Sequence, residues 1–159
     1  ALADAGARFN MGSLRRNFND PNLGLLVLSS AYQSRCRHQE DGQDVHERLT
    51  PLRLRFAERQ RPTIIRDGRT GEDLPISGRA WVGADGVIWR TELHVEGKDS
   101  VATLRVTYDR DQKLGALVPR SMDEDYRYRD EGTGRLMFIS GEARYDDYRR
   151  FETHTRIVP

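Results

Sequence analysis

Three side chains that could hold a metal ion lie close together in the segment RTELHVEG. Glu92, His94 and Glu96 alternate with other residues, so a strand would place all three on one face. Carboxylates and imidazole are ligands of zinc and of hard divalent cations. However, side chains two apart on a strand are separated by about 7 Å, and no glycine bends the strand between them. We therefore expect a wet strand face, paired with arginines such as Arg79 and Arg105, with a metal site as the alternative.

A cysteine and two histidines form a second candidate cluster. Cys36 and His38 share a face if their segment is a strand, and His46 could return on the next one. Cys–His catalysis also requires an orienting partner and an oxyanion site, and the sequence signals neither. A small buried side chain is the simpler interpretation of Cys36. No serine lies in a Gly-x-Ser-x-Gly or Ser-x-x-Lys motif, and no cofactor is predicted.

The acidic run in MDEDYRYRD is the third candidate catalytic site. Asp123, Glu124 and Asp125 are consecutive, and pairs of carboxyl groups carry out glycoside hydrolysis in many enzymes. Arginines flank the run on both sides, which favours ion pairs at the protein surface.

Aromatic side chains occur on several predicted strands and could form one patch. By alternation, Trp81 points with Arg79 and away from the apolar positions of its strand. An exposed tryptophan on a polar sheet face is typical of a contact surface. The other aromatic residues considered are expected mainly in the core: Trp89, Tyr108, Tyr126, Tyr128, Tyr145, Tyr148 and Phe151.

The composition limits the function classes. The chain has 159 residues, 36% apolar and 32% charged, which suits one domain built on a sheet with one wet face. Its 26 basic and 25 acidic residues nearly balance, so a nucleic-acid binder is not expected. A single cysteine excludes an intrachain disulfide. No apolar run approaches the roughly 20 residues of a membrane helix, and no signal peptide is visible.

One helix and about eight strands should position these residues. Asp20 is a good N-cap before Pro21, and apolar spacing predicts a helix from Asp20 to Ser30. A short helix near residues 1–8 is a further expectation. From Cys36 onward the apolar period is two, and turn sequences such as GADG and RDEGTG separate the segments. The prediction is a mainly β (α+β) fold, a curved antiparallel meander sheet or half-barrel with one main N-terminal helix.

Two of these segments carry finer predictions. The hairpin from Ile76 to Glu96 should be the most regular part of the sheet, with positive φ at Gly83 and Gly86 where its turn needs it. A last strand should run through the segment from Phe151 to Ile157 after a bulge near Tyr148.

The closing segment LGALVPRSMDEDYRYRD…LMFISGEARYDDYRRFETHTRI carries a resemblance. It resembles a group of uncharacterised exported bacterial proteins, in which a GLxVPxxMxExY strand precedes a GxAxYxxFRxF strand. The stretches ARFNMGSLRRNFNDPNLGLLVL and RPTIIRDGRTGEDLPISGRAWV look like the same group. The layout is also similar to lipoprotein-carrier domains of the LolA, LolB and RseB type, whose curved sheet can hold acyl chains.

The resemblance implies a periplasmic or extracellular protein. Residues 1–159 would form a single domain, and the opening ALADAGARFN, which lacks an initiator methionine, suggests the C-terminal part of a longer exported protein. The function expected is non-catalytic binding of a lipid or acyl chain in the concave face of the sheet. The candidate ligand-binding residues are Leu26, Leu54, Phe56, Val82, Trp89, Leu93, Leu104, Val106, Met137 and Ile139.

Two alternatives from other function classes stay open. The first is a carbohydrate- or protein-binding module that uses Trp81 and other exposed aromatic residues. The second is a hydrolase or metal-dependent enzyme that uses the face of Glu92, His94 and Glu96. Neither a nucleic-acid partner nor a transmembrane segment is predicted.

Overall fold

A computed structural model describes residues 20–44, 51–67, 70–130 and 132–149. Within these ranges one α-helix, α1 (Leu23–Leu28), precedes a 3-10 turn (Gln33–Arg35). The strands are β1 (Cys36–Gln43), β2 (Leu52–Glu58), β3 (Ile65–Arg66), β4 (Asp73–Leu74), β5 (Ile76–Val82), β6 (Ile88–Glu96), β7 (Ser100–Asp111), β8 (Ala116–Arg129) and β9 (Leu136–Arg144). No helix in the described ranges is long and apolar enough to cross a membrane.

Seven strands form one open antiparallel sheet. Their order, β1-β2-β5-β6-β7-β8-β9, follows the chain except for β3 and β4, which pair with each other as a separate two-stranded sheet. Short connections between successive strands favour antiparallel pairing of neighbours. The predicted mainly β fold is therefore confirmed, with a meander of seven strands and a small second sheet in the β2–β5 connection.

One face of the sheet, here called the core face, carries the hydrophobic core. Leu93 and Val95 on β6 are buried, and so are Leu104 and Val106 on β7, whereas their neighbours in the chain are partly exposed. Such alternation is typical of a sheet that is covered on one side. The core cluster is completed by α1 and residues of other elements: Leu23, Val27, Phe56, Ile65, Ile76, Tyr108 and Met122.

The helix is shorter than the sequence predicts. It begins at Leu23 rather than at Asp20 and ends at Leu28, before an extended Ser29. The Asp20 carboxylate accepts a hydrogen bond from the backbone N–H of Asn22 at 2.8 Å. Asp20 therefore stabilises a turn before the helix, and Asn22 takes the N-cap position. The helix predicted near residues 1–8 lies outside the described residues.

Gly24 lets α1 approach the sheet closely. A Cβ atom at Gly24 would lie 2.4 Å from Oγ1 of Thr91 on β6, which is closer than atoms can approach. The hydroxyl of buried Thr91 lies 3.0 Å from that of Tyr108 on β7. Tyr108 donates to the backbone carbonyl of Pro21 at 2.8 Å, just before the helix. These contacts fix α1 on the centre of the core face.

The β5–β6 hairpin is confirmed, but it is less regular than predicted. Gly86 has a φ of 78°, whereas Gly83 does not have a positive φ. A bulge shifts the register, so that Trp81 pairs with Arg90 and Val82 pairs with Ile88. Trp89 is the extra residue of this bulge, and the predicted alternation of Trp89 with Thr91 breaks there because two residues of β6 oppose one of β5.

Candidate functional site

The Glu92 side chain lies on the face of the sheet opposite the core face, here called the outer face. Its Oε1 accepts a hydrogen bond from Arg79 at 3.3 Å, and its Oε2 accepts one from Arg105 at 3.1 Å. His94 Nε2 lies 2.9 Å from Glu92 Oε1, and His94 Nδ1 lies 3.1 Å from the Thr103 hydroxyl. The predicted arginine pairing is confirmed, because the register places both arginines directly opposite Glu92.

These contacts keep Glu92 ionised. Burial acts to raise the pKa of its carboxyl, but hydrogen bonds and charges from His94 and Arg105 outweigh burial, so the pKa lies below the usual value. Glu96 is exposed at the end of β6. Within the described part of the chain, no group of three His, Cys, Asp or Glu side chains is placed to hold a metal ion. The Glu92 carboxylate thus serves ion pairs on a sheet surface.

Further ion pairs extend from Glu92 towards both edges of the sheet. Asp41 on β1 pairs with Arg79 at 3.2 Å, and Asp125 on β8 pairs with Arg105 at 2.7 Å. Arg105 lowers the pKa of Asp125 through this hydrogen bond, with help from Ser140. Together these residues form one ion-pair network on the outer face: Arg53, Arg55, Arg79, Arg105, Asp41, Asp44, Glu92 and Asp125.

Trp81 lies on the outer face as predicted, but it is only 6% exposed. The Arg90 guanidinium lies 4.5 Å from the centre of the Trp81 ring and covers it. The Trp81 indole N–H donates to the Asp44 carboxylate, which also pairs with Arg53 at 2.8 Å. The prediction of an exposed tryptophan is therefore wrong, because the residue opposite Trp81 in the ladder stacks on its ring. A covered tryptophan ring at this position does not support the predicted stacking of a sugar.

Strand alternation divides the acidic run between the two faces. Asp123 and Asp125 are exposed on the outer face, whereas Glu124 is buried on the core face. The Tyr126 hydroxyl donates to Glu124 Oε2 at 2.8 Å. The expectation of a surface ion pair is confirmed for Asp125, which pairs with Arg105, and is wrong for the buried Glu124. Because consecutive residues point to opposite faces, Glu124 does not form a pair with either aspartate, and the Asp125 carboxylate is engaged by Arg105 and Ser140.

The candidate ligand-binding residues do not all line one accessible surface. Phe56, Leu93, Leu104 and Val106 are buried in the core cluster with α1. Leu26 and Met137 are exposed. The other four candidates are half-buried: Leu54, Val82, Trp89 and Ile139. The helix lies over β6 and covers the four buried candidates, so they do not form an accessible apolar surface.

Trp89 has the most unusual environment of these candidates. Its indole Nε1 is buried and has no hydrogen-bond partner, which is true of no other buried side-chain nitrogen or oxygen in the described ranges. The indole nitrogen is a donor only, and leaving a buried donor without an acceptor costs about 1–3 kcal/mol. The β6 bulge that contains Trp89 is of a kind often found beside functional sites. Sequence pattern placed Trp89 among the liners but could not indicate its missing acceptor.

The cysteine cluster does not contain an activated thiol. Cys36 and His38 share the core face at the β1 edge. Burial and the nearby Glu58 carboxylate raise the pKa of the half-buried Cys36 thiol, against a smaller opposing effect of Arg35. A raised thiol pKa disfavours the nucleophilic thiolate. His38 is exposed, and His46 lies outside the described residues.

The structure also contains a polar groove that the sequence did not signal. It has a volume of about 380 Å³ and lies beside the turn between β7 and β8. Asp147 at its rim has a φ of 50°, and the Tyr148 hydroxyl donates to the Pro119 carbonyl at 2.8 Å. Its other lining residues are the neutral Gln112 and charged residues of both signs: Asp109, Arg110, Asp111, Lys113 and Arg120. Segments distant in sequence assemble this groove, so no local motif predicts it.

No family model, curated protein or solved structure matches this chain. The resemblance to exported bacterial proteins and to lipoprotein carriers therefore stays a prediction from the sequence.

Proposed function

We propose that this protein is a non-catalytic domain of an exported envelope protein, and that it binds an apolar ligand that carries a hydrogen-bond acceptor. A fatty acid or the acyl ester of a lipid has this chemistry. The observation that carries the proposal is the buried Trp89 indole N–H, which has no acceptor among the residues that the structure describes. A ligand oxygen that accepted this hydrogen bond would remove a penalty of about 1–3 kcal/mol.

Apolar side chains near and beyond the bulge support the same proposal. Val82 is half-buried and pairs with Ile88 beside Trp89 in the β5–β6 ladder. Leu26 on α1 is exposed although it belongs to an otherwise apolar helix. Ligand sites are lined mainly by apolar and aromatic side chains with a few polar groups that orient the ligand. Trp89 combines both properties, since its ring is apolar and its N–H is a donor.

The titratable groups favour binding over catalysis. Glu92 is engaged by Arg79 and Arg105, and the raised pKa of Cys36 keeps its thiol protonated. A general base or nucleophile needs a free, reactive form within reach of a substrate. The proposal therefore assigns no catalytic residue.

Tryptophan fluorescence tests this proposal directly. The Trp81→Phe variant keeps Trp89 as the only tryptophan. We expect sub-millimolar laurate to shift its emission, because the carboxylate accepts the indole hydrogen bond. Native mass spectrometry before and after organic extraction should detect bound laurate, or a lipid retained during purification. The converse variant, Trp89→Phe, should show a smaller response, since Trp81 is covered on the outer face.

Dodecyltrimethylammonium is the matched probe, since it has an alkyl chain like that of laurate and no acceptor. Wild-type protein should prefer laurate, and Trp89→Phe should lose roughly fivefold in laurate affinity, as expected for one hydrogen bond of about 1 kcal/mol. If neither probe changes Trp89 emission and extraction releases no lipid, the proposal is wrong. Immunodetection of the full-length protein in periplasmic and secreted fractions tests its location.

A further inference from the structure

The two edge strands of the sheet differ in how they are protected. β1 contains the charged residues Arg37, Glu40 and Asp41, and its pairing with β2 is irregular between Glu40 and Gln43. Charges and irregularities on an edge strand discourage pairing with another chain. β9 has neither device in its first six residues, LMFISG, which are uncharged.

The uncharged part of β9 is also accessible. Leu136, Met137 and Phe138 are 49%, 41% and 68% exposed. In the described ranges β8 is the only strand paired with β9, and the pairing covers nine consecutive residues without a shift. The described chain beyond β9 continues beside β8, where the Tyr145 N–H donates to the Arg120 carbonyl at 2.9 Å. A long, regular and apolar edge of this kind is suited to adding another strand.

We propose that β9 pairs antiparallel with β9 of a second copy of this chain, about a two-fold axis at Ser140. The two seven-stranded sheets then form one continuous sheet. A two-fold interface uses the same patch on both subunits, so β9 must be complementary to itself. This proposal concerns the sheet edge and does not depend on ligand binding at Trp89.

Sheet geometry selects the register. Opposed residues of antiparallel strands share a face, so both must be even-numbered or both odd-numbered to keep the two core faces on the same side. Among such registers, the one centred on Ser140 pairs every residue from Leu136 to Arg144. Registers centred on Glu142 or Arg144 place that charge opposite its own copy, which is destabilising.

The residues that oppose each other in this register fit in size and bring no like charges together. On the core face, large side chains meet small ones, and on the outer face no like charges meet. Glu142 and Arg144 already contact each other along the strand at 3.0 Å. The opposed pairs are Leu136 with Arg144, Met137 with Ala143, Phe138 with Glu142, Ile139 with Gly141, and Ser140 with its own copy.

Sedimentation equilibrium of wild type and of charge variants tests the interface and its register together. Wild type should be a dimer. Phe138→Glu places a carboxylate opposite Glu142 of the second copy, twice in each dimer, and should raise the dissociation constant at least roughly tenfold. Adding Glu142→Lys to Phe138→Glu restores opposite charges and should recover the dimer. Arg37→Glu on the β1 edge is the matched control and should leave the dimer unchanged.

Three outcomes would overturn the proposal. The first is a wild type that stays monomeric at high concentration. The second is a Phe138→Glu variant that is as dimeric as wild type, which would place the interface elsewhere. The third is a Phe138→Glu/Glu142→Lys double variant that is folded but still monomeric, which excludes the register centred on Ser140. Circular dichroism melting of each variant shows that the fold is intact.

Discussion

Glu92 and Trp81 show which properties of a side chain the sequence pattern predicts and which it does not. Glu92 pairs with Arg79 and Arg105 because all three occupy opposed outer-face positions on adjacent strands, and their spacing in the sequence already indicates this. Trp81 occupies the predicted face and yet is covered, because Arg90 stacks on it. The position of a residue in a strand determines the sheet face to which its side chain points. Its exposure depends on whether neighbouring side chains cover it.

The contribution of Glu92 to stability should disappear in acid. His94 and Arg105 hold the folded-state pKa below the ordinary 4.5, although burial acts in the opposite direction. A group with a lowered folded pKa stabilises the fold above its unfolded pKa, and this contribution is lost as the pH falls through the folded pKa. At about pH 6, Glu92→Gln should lower the free energy of unfolding by up to about 1 kcal/mol. Urea denaturation should show this difference from wild type shrinking as the pH falls below 4.5.

His94→Ala tests the alternative of a metal site at the same carboxylate. It removes one contact to Glu92 and leaves both arginine pairs in place, so the melting temperature should change little. Addition of EDTA should have no effect on either protein. A wild-type melting temperature that EDTA lowers, with the effect lost in His94→Ala, would contradict the ion-pair interpretation and reveal a metal site.

At the scale of elements, the helix and the hairpin depart from prediction for local reasons. Asp20 makes a turn with Asn22, and the bulge at Trp89 displaces one residue of β6 from the ladder. Both features follow from specific hydrogen bonds that a hydrophobic period does not encode. Gly24 shows the opposite relation. Glycine is a poor helix former, but its missing side chain allows α1 to contact Thr91.

Replacement of Gly24 by alanine tests this close approach. The new Cβ atom would lie 2.4 Å from Thr91 Oγ1, so α1 must move away from the sheet. We expect Gly24→Ala to lower the free energy of unfolding by about 1–3 kcal/mol, although alanine is the better helix former by about 1 kcal/mol. Leu26→Ala, on the exposed side of the same helix, should cost less. A Gly24→Ala protein as stable as wild type in urea would show that the helix does not rest on Thr91.

At the scale of the whole molecule, one buried hydroxyl links distant parts of the chain. Tyr108 on β7 contacts Thr91 on β6 and donates to the Pro21 carbonyl ahead of α1. Burial raises the pKa of Tyr108 to about 12, against a smaller opposite effect of the hydrogen bond with Thr91. The neutral hydroxyl therefore joins the helix to the sheet across the ordinary pH range.

Raising the pH should remove the stabilisation that the Tyr108 hydroxyl provides. A group whose folded pKa is raised gives its full stabilisation below its unfolded pKa, here 10.0, and loses it as the pH rises through about 12. Tyr108→Phe should lower the free energy of unfolding at neutral pH by about 1–2 kcal/mol. In guanidinium denaturation, the difference in the free energy of unfolding between Tyr108→Phe and wild type should then narrow from pH 10.0 upward. A constant gap across this range would mean that the hydroxyl does not titrate from a buried position.

Sequence patterns alone predict the antiparallel meander, the face to which most strand residues point and the arginine pairing of Glu92. Period-two patterns and turn residues are local, and pairing of successive strands follows from short connections. The packing of distant segments determines which core-face residues α1 covers, that Glu124 is buried, that the Trp89 indole has no acceptor in the described ranges and that Leu136, Met137 and Phe138 on β9 are exposed. These properties depend on register, bulges and the elements that pack above each face, and they arise when distant segments come together.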